Sequence, residues 1–201
     1  MTQAALDQFS ENVKRVRHLG GVVQAFQGLT TGAIDFSDVL RAQLVLIVSA
    51  LDQFVHEFVR LGMLEVQKGV RAPTDAHLSF KVPLAATKLA IQDATQVEWL
   101  NDAVKEAHSW LTFQQPDKIA NAIRLVSGVE LWNTVATELG VPAANVKAQL
   151  KLIVERRNKI AHEADIDPAN PPFRWPIDDV SVREAVDFVE SVCYAIHKCA
   201  T

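Results

Sequence analysis

The chain is poor in cysteine. Its 201 residues hold only Cys193 and Cys199, six positions apart near the C-terminal end. Small secreted domains spread an even set of cysteines through a disulfide framework, so these two read as reduced thiols. Cys193 shares a helix face with His197, but two ligands fall short of a metal site. The sequence calls for no metal and no cofactor. No apolar run approaches the roughly 18 residues of a spanning helix. The opening stretch MTQAALDQFSENVKR lacks the basic segment and apolar core of a secretory signal. The expected location is therefore the cytoplasm, with no membrane partner.

Positive charge is also scarce. The formal net charge of −4 argues against a general nucleic-acid coat protein, whose affinity rests on many Lys/Arg–phosphate contacts. It leaves open an enzyme that gathers positive charge at one place. A Gly-rich phosphate loop, a GxSxG elbow and a His/Cys cluster of metal spacing are all missing. Their absence argues against nucleotide-dependent, serine-hydrolase and zinc chemistry. No convincing strand alternation or internal repeat occurs either.

What the sequence does hold is helical periodicity. Leu6, Phe9, Val13, Val16, Leu19, Val23 and Phe26 recur at helical spacing, which predicts a helix over 2–27. Gly20-Gly21 is a place to bend it, and Gly28 with Gly32 a place to end it. Its basic run Lys14, Arg15, Arg17 and His18 is either a solvated face or a grip on RNA phosphate. A second helix, capped by Asp35 or Ser37, runs to about Lys68 and stops at Gly69. Its centre, residues 44–51, is apolar nearly all round and predicts the buried spine of the molecule. Residues 69–83 read as irregular. Shorter helices follow over 84–92 and 96–112, one starts at Pro116, and one capped by Ser127 ends at Gly140. Pro142 opens a long helix. Four prolines between Pro168 and Pro176 deny that stretch a helix, and Asp178 caps the last one. Trp99 and Trp110 are either core and interface anchors or stacking platforms for a base. The fold expected is a single all-α helical bundle over 1–201 with a long central helix.

One polar stripe crosses the central helix. Ser49, Asp52, His56 and Arg60 follow three or four residues apart and share a face. Such a line is satisfied by partners or faces a wet cleft. Asp52 and His56 either pair with each other or line a cleft opposite the motif described next.

That motif lies in Glu155-Arg156-Arg157-Asn158-Lys159-Ile160-Ala161-His162-Glu163-Ala164-Asp165. At about 100° per residue, Asn158 and His162 stack on one face, with Glu155 a further turn back. Arg157 has Ile153, Val154, Ile160 and Ala161 as helical neighbours, so it projects from the apolar face. An unpaired desolvated charge costs several kcal/mol. Arg157 must therefore meet an anion, either a carboxylate or a phosphate gripped by its planar fork.

Arg157-Asn158 with His162 resembles the Arg-x4-His motif of the HEPN superfamily, and the string RRNKIAHEAD is similar to its RiboL-PSP type. LDQFVHE at 51–57 and TFQQPDKIANAIRLV at 112–126 resemble the early helix and middle of those domains. The likeness spans most of the chain, leaving residues 1–35 outside its clearest part. It implies a two-fold homodimer and metal-independent RNA cleavage at a site formed by both protomers. The activity it implies is of the kind used in toxin or phage-defence systems, and because a free ribonuclease would harm its host, control by an antitoxin or other regulatory partner is expected.

RNA brings its own nucleophile, the 2′-hydroxyl beside the scissile phosphate. Histidine suits either proton task near neutral pH, and a permanently charged arginine forks onto phosphate oxygens as charge develops. Asn158 either orients the imidazole or binds the ribose. Glu155 and Asp165 either bias the imidazole tautomer or merely solubilise the helix. Arg157 and His162 stand about 140° apart on an ideal helix, so either the helix unwinds near His162 or a second copy completes the site. The rival class is a non-catalytic HEPN-like module that binds RNA or protein through the same surface.

Overall fold

The computed structural model describes residues 1–27, 29, 34–93 and 96–201. Among them the regular elements are all helices: α1 (Gln3–Gln27), α2 (Ser37–Gln67), α3 (Asp75–Leu78), α4 (Leu84–Gln92), α5 (Glu98–His108), α6 (Pro116–Ile123), α7 (Leu131–Leu139), α8 (Ala143–Glu163) and α9 (Asp179–Ala200). An isolated bridge joins Ile166 to Arg174. The all-α bundle expected from the periodicity is what forms. No helix among the described residues is long and apolar enough to cross a membrane.

The spine is α2. It packs against α1, α5, α6, α8 and α9, while α7 bridges α8 and α9. The apolar centre of α2 explains this, since a helix apolar on every side needs neighbours on every side. Phe54 stacks between Phe9 of α1 and Phe58, with ring centroids 5.4 and 5.7 Å apart, and all three side chains are buried. Each such burial contributes about 1.5–3 kcal/mol.

The helix ends refine the sequence reading. Phe36, not Asp35 or Ser37, occupies the N-cap of α2, yet the Asp35 carboxylate still accepts from the Ser37 N–H at 2.8 Å. The expected bend at Gly20-Gly21 is absent, and α1 runs through both. Gly20 instead leaves room for Gln43 of α2, which donates to the Val16 carbonyl at 3.0 Å. The expected end of α1 at Gly28 and Gly32 lies outside the described residues. Ser127 does not cap α7, which starts at Leu131 after Glu130. A one-turn helix, α3, sits in the stretch read as irregular, capped by Thr74 accepting from the His77 N–H. Asp178 caps α9 as expected, accepting from the Ser181 N–H.

Candidate functional site

The motif helix is anchored by Val146, Leu150, Ile153 and Val154, all buried. It continues through Glu163 and stops at two successive left-handed residues, Ala164 (φ 51°) and Asp165 (φ 60°). Non-glycine residues there cost roughly 1–2 kcal/mol each, so something must hold them. The Asp165 N–H closes back onto the Lys159 carbonyl at 3.0 Å. Its carboxylate is fully buried and accepts from Arg41 Nε at 2.7 Å and Arg156 Nη2 at 2.8 Å.

The same two guanidinium groups reach the Trp175 carbonyl at 2.8 and 3.3 Å, and Arg156 also reaches that of Pro176. The Trp175 N–H donates to the Asp165 carbonyl at 2.9 Å, while Lys159 lies over the Trp175 ring. Burial pushes the Arg156 guanidinium below its ordinary pKa, Asp165 opposes that shift, and Arg41 adds to it. This clamp ties α2, the end of α8 and the proline-rich loop together. Asp165 is thus committed to two arginines, which overturns the idea that it biases the His162 tautomer. Glu155 is exposed and pairs with Lys151 at 3.7 Å, in line with a solubilising role.

Arg157 is half-buried, and its Nη1 donates to Asn158 Oδ1 at 2.9 Å. Its Nε is buried without a hydrogen-bond partner, and no carboxylate among the described residues lies within ion-pair distance. Of the two anions the sequence allowed, the carboxylate is therefore absent. Asn158 spends its amide oxygen on Arg157, and no hydrogen bond to the His162 ring is present among the described residues. His162 is exposed and sits inside the last turn of α8. The helix does not unwind before it, so within one chain Arg157 and His162 diverge by about 140° around the axis.

Ser49, Asp52 and His56 do line a cleft, of about 380 Å³. Its opposite wall is α5, through Val104, Lys105 and His108, with Ser109 just past the helix end; neither Arg157 nor His162 belongs to its lining. Placing the stripe opposite the motif is thereby corrected. The predicted Asp52–His56 pair is loose at 3.7 Å, because Asp52 accepts from the Phe113 N–H at 2.5 Å and from Gln114 Nε2 at 3.0 Å.

The residue missed from sequence is His108. Its ring is buried, with Nδ1 unpartnered among the described residues. Burial, with His56 close by, brings its pKa down to about 4. A signal was available: His108 continues the four-residue spacing of Leu100 and Val104 on the buried face of α5. No three His, Cys, Asp or Glu side chains among the described residues gather in a way that could hold a metal ion.

Compared with known proteins, the chain matches the family model described as RiboL-PSP-HEPN over residues 10–201, which takes in most of α1 as well. No curated protein and no solved structure matches.

Proposed function

The chain belongs to the RiboL-PSP-HEPN family, and from that premise we propose that it is a metal-independent endoribonuclease acting through Arg157, Asn158 and His162. The observation that carries this reading is the unneutralised, half-buried guanidinium of Arg157, held in place by Asn158. A buried cation without an anion is costly, and an RNA phosphate supplies one in the planar geometry a guanidinium fork prefers.

In the reaction the 2′-oxygen attacks phosphorus as its proton leaves, the P–O5′ bond breaks, and the 5′-oxygen takes up a proton. The products are a 2′,3′-cyclic phosphate and a 5′-hydroxyl. Arg157 balances the charge growing on the non-bridging oxygens, and the His162 imidazole moves one of the two protons. Because the two side chains diverge on α8, Arg157 works with the partner's His162 across a two-fold axis. An isologous dimer brings both sets together. A toxin or phage-defence setting, with an antitoxin or other regulatory partner, fits an activity that would harm its own cell. The cytoplasm is where such RNA is met.

The test is a defined single-stranded RNA incubated with purified protein in excess EDTA, with mass analysis of the new ends. Fragments ending in 2′,3′-cyclic phosphate support the reading. The divergence of Arg157 and His162 favours one rival, a non-catalytic module that binds RNA or protein through this face. Binding without turnover, unchanged by His162→Ala, would establish that rival instead.

A further inference from the structure

A second feature lies away from the motif. Two rings line the cleft between α2 and α5, His56 and His108; the buried Phe113 backs them, its ring 4.4 Å from His56 and edge-on to His108 at 5.2 Å between centroids. The polar side chains inside are already hydrogen-bonded for the most part. Glu57 grips Arg60, with Oε2 accepting from Nη2 at 2.6 Å, and Asp52 is occupied by Phe113 and Gln114. What is left without a hydrogen-bond partner among the described residues is the buried Nδ1 of His108.

The rim supplies charge. Lys105 is exposed and has no ion-pair partner among the described residues. Beyond Ser49 and Gln53, which both clefts share, the groove continues into an adjoining hollow of about 220 Å³ lined by Arg15 of α1. In the basic run of α1, Lys14 pairs with Glu11, and Arg17 with Asp187 and Glu190. Arg15 alone of these three makes no ion pair among the described residues, although the Glu11 carboxylate, held by Lys14, lies near enough to feel its charge. One face of α2 therefore carries a groove whose pocket presents two imidazole rings, with a cation near either end that makes no ion pair among the described residues.

We propose that this groove is a second contact for single-stranded RNA, in which the α2–α5 cleft takes one unpaired nucleobase and Lys105 and Arg15 take flanking phosphates. A base offers flat apolar faces to rings and an edge of neutral donors and acceptors to an imidazole, and aromatic side chains including histidine stack splayed-out bases. The inference rests on the RNA reading above and adds where the strand lies beyond the cleaved bond.

The experiment measures binding of a short, fluorescently labelled 2′-O-methyl RNA, which lacks the nucleophile and so reports affinity without turnover. An abasic oligomer of the same length is expected to bind roughly tenfold more weakly. Arg15→Ala with Lys105→Ala, both exposed positions, is expected to lower the salt slope by about 1.4, from two lost phosphate contacts. His108→Leu is expected to erase the preference for the base-bearing oligomer. Equal affinity for the abasic oligomer, or an unchanged slope in the double variant, overturns the proposal. A free mononucleotide that binds the cleft as tightly as the oligomer assigns the pocket to small nucleotides and overturns the strand path. Wild-type protein that discriminates bases but cuts no RNA keeps the groove and removes the catalytic reading. Cleavage with the slope unmoved does the reverse.

Discussion

Arg41 and Asp165, 124 residues apart in sequence, meet at 2.7 Å around a carboxylate with no solvent exposure. Their pairing fixes the last turn of the motif helix to the spine of the bundle. Asp165→Ala leaves Arg41 and Arg156 facing each other with no buried counter-charge. The expected loss is about 3–5 kcal/mol of stability, read from the midpoint of urea unfolding at constant slope. A midpoint within error of wild type would show that the clamp contributes nothing.

The divergence of Arg157 and His162 yields a complementation test. Arg157→Ala and His162→Ala are each expected to be inactive alone. Mixed after a subunit-exchange step, they form heterodimers in which one intact Arg157 faces one intact His162, so cleavage should return in part. No recovery across mixing ratios, with exchange verified, would place both groups in one chain.

Gly62 sits in α2 where an added Cβ would lie 2.8 Å from Val126 Cγ1. Alanine gains about 1 kcal/mol of helix propensity, but overpacking costs about 1–3 kcal/mol. The net expectation for Gly62→Ala is destabilisation, relieved in Gly62→Ala with Val126→Ala. The two changes should therefore couple favourably in a double-mutant cycle, whereas additive effects would mean the contact is soft.

His108 makes stability depend on pH. Its folded pKa of about 4 lies below the roughly 6.5 of an unfolded histidine. Between those values the unfolded chain binds the proton more readily. Stability is thus full above about pH 6.5 and falls as the solution is acidified towards pH 4, by at most about 1.4 kcal/mol for each pH step of one. His77 and His197, also held down by burial, act in the same direction. His108→Phe should flatten this slope in part without abolishing it. An unchanged slope would mean that His108 is as well hydrated folded as unfolded.

Much of the fold was legible because burial follows local spacing. Phe9, Val13, Val16 and Val23 on α1, and Val182, Val186, Val189 and Ile196 on α9, are buried as their periodicity predicts. Phe26 was read as part of the apolar face of α1 yet stands exposed, since periodicity does not tell which end of a helix overhangs its neighbours, and Trp110, exposed as well, is not a core anchor. The motif residues and the polar stripe were visible as patterns, but what each faces was not. Asp165 gave no local sign of its partner on α2, and the left-handed pair at 164–165 carries no glycine to announce it. His108 hid in an apolar stripe, where one histidine looks like any other core position.

Whether His162 carries the chemistry is decided by single-turnover cleavage of one defined RNA in EDTA, comparing wild type with His162→Ala and recording the circular dichroism spectra of both. The wild type is expected to leave 2′,3′-cyclic ends, and the variant to cut about 10²–10⁴-fold more slowly at unchanged helicity. Equal rates, or cleavage that stops when metal is chelated, would rule out a metal-independent ribonuclease built on His162.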